Sequence, residues 1–147
     1  MKIINELRLK FPSRSSNEGF ARAAVASFVS QLDPTVNELA DLRCAVSEAV
    51  TNSIVHAYPN SIGDVFLHVK LYDDGKVVVR IRDKGCGIPD IEKAMQPLFT
   101  TGGDDRSGLG FTMMQSFADK VRVTSHEGRG TTVTLTKYIC LRDGETP

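Results

Sequence analysis

Within the run SEAVTNSIVHAY, residues 47–58, a carboxylate and a carboxamide stand four apart among small and aliphatic side chains, at Glu48 and Asn52. At about 100° per residue the two lie about 40° apart on a helix. Both fall off the stripe of Leu39, Leu42, Val46, Ala49, Val50, Ser53 and Ala57, which is expected to pack on a sheet. Alone, such a pair reads as an ordinary solvated face. Three further segments add chemistry. In DKGCGIP, residues 83–89, Asp83 can accept from an amino group, and Gly85 and Gly87 permit close approach to a flat ligand, although a plain turn uses the same residues. In TTGGDDRSGLG, residues 100–110, Ser107, Gly108, Leu109 and Gly110 precede a helix N-terminus whose backbone N–H groups can hold phosphate oxygens, or they form a surface loop. Gly130 and Thr131 begin the last strand, where the hydroxyl can reach a base or merely close a turn.

Local periodicity places these residues. NELRLKF, residues 5–11, alternates with Leu7, Leu9 and Phe11 on one side, which predicts a half-buried strand. Residues 17–32 place Phe20, Ala24, Phe28 and Leu32 four apart, which predicts an amphipathic helix with Asn17 as its N-cap. Asp33-Pro34-Thr35 breaks it, and Thr35 with Glu38 makes a capping box for a second helix running to about Ala57. VFLHVKL (65–71) and KVVVRIR (76–82) read as antiparallel strands around an Asp74-Gly75 turn. A helix is expected from about Phe111 to Ala118, then a hairpin of residues 121–126 and 131–138, with a polar tail beyond. The order β, α, α, β, β, loop, α, β, β implies a mixed, largely antiparallel sheet with helices on one face.

Composition narrows the function classes. The 147 residues suffice for one domain, 1–147, with a sizeable core. Lys plus Arg and Asp plus Glu total 18 each, so there is no net positive field to attract nucleic acid or anionic lipid, and direct nucleic-acid binding is not expected. MKIINELRLKF has neither a signal-peptide pattern nor a membrane span, so a cytosolic protein is expected. Cys44, Cys86 and Cys140 are odd in number and lack a C-x-x-C, which indicates neither a disulfide framework nor a zinc site.

Taken in order, E-x-x-x-N, D-x-G-x-G, G-L-G and G-T resemble the nucleotide-binding fold shared by gyrase, the large heat-shock chaperones, histidine kinases and the mismatch-repair ATPase. That GHKL or Bergerat fold is an α/β (α+β) two-layer sandwich. No Walker P-loop pattern is present. FPSRSSNEGFAR, QLDPT, SEAVTNSIVHAY, DKGCGIPD, QPLFTT and RSGLGF further resemble the bacterial anti-sigma factor serine kinases, above all their sporulation branch, over nearly the full chain. TTGGDD departs from the family in carrying two adjacent glycines and two acidic residues.

The resemblance implies a homodimer that holds an RNA polymerase sigma factor inactive. It implies transfer of phosphate from ATP, with Mg²⁺, to a serine of an anti-anti-sigma partner. By position, Asn52 would ligate Mg²⁺ and Glu48 would be the general base. Asp83 would read the adenine amino group, with Gly85, Gly87 and Thr131 lining the base. Thr100, Ser107, Gly108, Leu109 and Gly110 would surround the phosphates. Arg106 would stabilise γ-phosphate charge, unless it is a solvated lid arginine. His56, at the helix end, reads as structural. A histidine kinase fits poorly, because only 47 residues precede Glu48 and no phosphoacceptor helix pair is visible. A hydrolysing clamp would need a further domain, and a sigma-binding module without phosphate transfer is the third alternative.

Overall fold

The computed structural model describes residues 1–88 and 110–141. Five strands form one sheet in the order β1-β2-β3-β5-β4, and all four pairings are antiparallel. They are β1 (Ile3–Pro12), β2 (Asp64–Tyr72), β3 (Lys76–Asp83), β4 (Lys120–His126) and β5 (Gly130–Tyr138). The helices among the described residues are α1 (Ser16–Val29), α2 (Val36–Asn52) and α3 (Gly110–Phe117), with a 3₁₀ turn at Ser30–Leu32 and a π turn at Ser53–Ala57.

Strand alternation sets the two faces of the sheet. Val65, Leu67, Val69 and Leu71 of β2, Val77, Val79 and Ile81 of β3, and Val133 and Leu135 of β5 are buried toward the helices. Burying a side chain of this size contributes about 1.5–3 kcal/mol each relative to exposure. The opposite face carries the row Arg8, His68, Arg80, Thr134 and Arg122, one residue from each strand, and no described helix covers it. On the β2–β3 turn Gly75 has φ 90°, and Asp74 Oδ1 accepts from Lys76 N at 3.1 Å, as the Asp-Gly pair predicts.

The second helix begins as its sequence requires. Thr35 Oγ1 accepts from Glu38 N at 3.1 Å and Glu38 Oε1 accepts from Thr35 N at 2.8 Å, which closes the capping box. Glu38 also receives Cys140 N on Oε2 at 2.9 Å, so the cap ties the helix to the end of β5.

The first helix differs from expectation in two ways. Ser15 precedes it, and Asn17 lies inside the first turn, where Nδ2 donates to the Pro12 carbonyl at 2.9 Å. Its buried stripe is Ala21, Val25 and Val29, one position on from the expected Phe20, Ala24 and Phe28, while Leu32 is buried as predicted. Small residues let α1 lie close against α2, whereas Phe20 is pushed to the flank and is 54% exposed. No helix among the described residues is long and apolar enough to cross a membrane.

Candidate nucleotide site

The last two turns of α2, the end of β3 and the start of β5 meet at one end of the sheet. Glu48 and Asn52 are half-buried on α2, and the helix then widens into the π turn, a feature frequent at functional sites. Ser53, the first residue of that turn, is buried and donates through Oγ to Asp83 Oδ2 at 3.1 Å.

Asp83 is the centre of the cluster. Its Oδ1 accepts from Gly85 N at 3.0 Å and from Thr131 N at 3.1 Å, so one carboxylate oxygen ties the turn after β3 to the start of β5. Burial pushes the Asp83 pKa up, and hydrogen bonds from Gly85, Thr131 and Ser53 oppose the rise. The carboxylate is 5% exposed, yet no cation is paired with it among the described residues. Three hydrogen bonds hold it in place instead.

The glycines have reasons inside the fold. A Cβ on Gly85 would overlap the Ala57 carbonyl oxygen, and one on Gly87, at φ 77°, would overlap the backbone of His126. Gly130, at φ 116°, lies against the Asp83 carbonyl, so only glycine lets β5 begin there. Beside it, Ser125 Oγ lies 2.8 Å from Thr131 Oγ1 and accepts from Ile88 N at 2.7 Å. Ser53 and Ser125 were not among the site residues that sequence motifs single out. Ser53 reads as one more member of an apolar stripe, and Ser125 as an ordinary strand serine. The only signal was that Ser53 is the sole polar residue of that stripe.

Asn52 Nδ2 is buried and has no hydrogen-bond partner among the described residues. Such an orphan is uncommon in a folded protein and fits a site that expects a ligand. The amide nitrogen and oxygen can exchange places by a flip, so the side chain can present either atom. Among the described residues no group of three or more His, Cys, Asp or Glu side chains is placed to hold a metal ion. A carboxamide oxygen together with phosphates and water suits Mg²⁺, which usually keeps several waters and substrate phosphates in its shell. The residues present therefore fit a Mg²⁺–triphosphate better than a cation held by protein alone.

Of the expected residues, Asp83, Gly85 and Thr131 are joined by hydrogen bonds, Gly87 follows in the same turn, and Asn52 is joined to the cluster through its neighbour Ser53. Glu48 lies one turn before Asn52 on α2. Gly110 starts α3, as expected. Thr100, Arg106, Ser107, Gly108 and Leu109 lie outside the described residues. His56 belongs to the π turn, where its carbonyl accepts from Cys86 Sγ at 3.2 Å.

The histidine kinase-like ATPase domain family matches residues 11–137. The chain is 53% identical over 140 residues to the anti-sigma F factor of Caldanaerobacter subterraneus subsp. tengcongensis, covering 95% of this chain and 97% of that protein. It is 52% identical over 136 residues to the anti-sigma F factor of Geobacillus kaustophilus, covering 92% and 93%. The fold is similar to a crystal structure of the RsbU and RsbW domains of a Mycobacterium tuberculosis protein, with a TM-score of 0.68 at 22% identity over 97% of this chain and 35% of that one. It is also similar to the histidine kinase domain of a blue-light activated kinase from Erythrobacter litoralis, with a TM-score of 0.58 at 20% identity over 83% of this chain and 61% of that one. The chain belongs to the anti-sigma F factor family, within the histidine kinase-like ATPase domains.

Proposed function

We propose that residues 1–147 form one ATP-binding kinase domain that holds a sporulation sigma factor inactive and phosphorylates a serine of its anti-anti-sigma antagonist. The observation that carries this reading is the Asp83 cluster beside Asn52, whose Nδ2 has no partner among the described residues, in a chain of this family. Asp83 accepts the adenine amino group, with Gly85, Gly87 and Thr131 around the base. Asn52 would hold Mg²⁺ through its amide oxygen, and the ion would supply charge neutralisation for the phosphates. Thr100, Ser107, Gly108, Leu109 and Gly110 hold phosphate oxygens, and Arg106 offsets charge developing on the γ-phosphoryl group.

Glu48 is the general base. The substrate serine oxygen forms a bond to the γ-phosphorus as its proton passes to the Glu48 carboxylate, and the bond from that phosphorus to the β–γ bridging oxygen breaks. The products are phosphoserine and ADP, and Glu48 returns its proton to solvent. One turn of helix, about 5–6 Å along the axis, separates the base from the metal ligand, which leaves room for a serine to enter beside the phosphate. The protein acts as a cytoplasmic homodimer, and its partners are the sigma factor and the antagonist.

Incubation with γ-labelled ATP and purified anti-anti-sigma protein tests the proposal. Label on a serine of the antagonist is the expected result. ATP binding and sigma capture without any transfer would point to a sequestering module instead, and capture of a general-stress sigma factor would reassign the branch.

A further inference from the structure

An ionised carboxylate offers about four acceptor positions. In Asp83 three are filled: Oδ1 takes Gly85 N and Thr131 N, and Oδ2 takes Ser53 Oγ. About one position remains, on Oδ2, and Ser53 decides where it points. Ser53 has a single hydroxyl proton. Spent on Asp83 at 3.1 Å, it leaves the serine oxygen able only to accept. The other buried members of the α2 stripe, Leu42, Ala45, Val46, Ala49, Val50 and Ala57, are apolar, so Ser53 is a lone hydroxyl at 4% exposure in an otherwise hydrocarbon surface. Helix packing gives no reason for it, whereas the carboxylate does.

We propose that Ser53 is a specificity-determining positioning residue: its hydroxyl fixes Asp83 as an acceptor-only partner, so the pocket selects a purine with a 6-amino group and rejects one with a 6-oxo group. The inference rests on the reading that a nucleotide base meets Asp83. It adds a residue at the start of the π turn after α2 that sets the hydrogen-bonding sense of the reader on β3. Burial drives the Asp83 carboxyl toward its protonated form, and the Ser53 bond is one of three opposing it. Without Ser53 one of the three bonds that oppose protonation is gone, and a proton taken up on the freed Oδ2 would make it a donor. A donor there is matched to the oxo group of guanine and mismatched to the amino group of adenine.

Calorimetric titration of ATP and GTP into the full chain and its Ser53→Ala variant tests this, with the melting temperature of each nucleotide-free protein as a control. The expected result is a loss of about tenfold in ATP affinity, the worth of one hydrogen bond to a charged group, with GTP affinity held or improved. The ATP-to-GTP ratio then narrows by about tenfold or more. The Ser53→Thr and Ser53→Val variants, similar in shape and differing in the hydroxyl, give the same comparison if the alanine variant does not fold. Thr should keep the wider ratio. An unchanged ratio on loss of the hydroxyl overturns the role of Ser53 while leaving the nucleotide site standing, even if both affinities or the melting temperature fall. Absence of ATP binding by the unmutated protein overturns the nucleotide reading and this inference with it.

Discussion

At Asp83 a stability cost and the proposed binding role act on the same atoms. Burial raises its pKa, so the favourable contribution of this group is present at low pH and is lost as pH rises through the folded-state value. Ionising the buried side chain therefore works against the nucleotide-free fold. Asp83→Asn keeps an oxygen for Gly85 N and Thr131 N but places an amide donor where the adenine amino group donates. ATP affinity should fall by about 1.5–3 kcal/mol, while the melting temperature without nucleotide at pH 7 is held or raised. Unchanged affinity by calorimetry would remove Asp83 from the base site. The orphan amide of Asn52 makes a different prediction, because its oxygen is assigned to the metal. Asn52→Ala should weaken ATP binding in Mg²⁺ far more than in EDTA, and equal losses would contradict a metal role.

Among the elements, the β3 turn and the start of β5 depend on each other through Gly130, which lies against the Asp83 carbonyl at φ 116°. Gly130→Ala should cost on the order of 1–3 kcal/mol by denaturant unfolding and weaken ATP binding in addition, because Asp83 and Thr131 move together. Loss of stability with ATP affinity intact would uncouple the two strands. On the open sheet face, burial lowers the pKa of His68, and Arg8, Lys70 and Arg80 lower it further against the opposing Glu6. Glu6 is 3.9 Å away and makes no hydrogen bond to the buried Nε2, so His68 is neutral at neutral pH rather than ion-paired. With a depressed folded value, its contribution to stability is present above the ordinary histidine pKa and is lost as pH falls below it toward the folded one. His68→Gln should flatten the fall in melting temperature between about pH 7 and pH 5. An identical pH profile would show that another group drives it.

These elements also mark how far sequence reasoning reaches. The capping box at Thr35 and Glu38 and the Asp74-Gly75 turn are local chemistry, complete within four residues, and both form as read. Register in the sheet follows from alternation in β2 and β3, where a slip of one residue would bury Arg80 and Arg82. Periodicity puts the α1 stripe one position away from the buried one because Ala21 and Phe20 are both apolar. Size at the contact with α2 decided between them, and periodicity cannot weigh size. Asp83 was legible through its motif. Its bonds to Ser53 and Thr131 span 30 and 48 residues, and no local pattern in the chain pairs an aspartate with either.

For the whole molecule, the proposed function gives one small fold two tasks: binding a sigma factor, and removing the antagonist's ability to bind by phosphorylating it. The chain has 18 basic and 18 acidic residues, so specific surfaces rather than net charge must select its partners. The two tasks separate if the base sits in the phosphate pocket and sigma binds elsewhere. Glu48→Gln removes the base while nearly preserving shape. The central measurement is therefore the rate of serine phosphorylation of the antagonist by Glu48→Gln beside the unmutated protein, with ATP and sigma binding measured on the same samples. With Glu48 as the base, transfer should fall by about 10²–10⁴ with both affinities retained, leaving an inhibitor that its antagonist cannot escape by discharge. Near-normal phosphorylation by the variant would contradict that role.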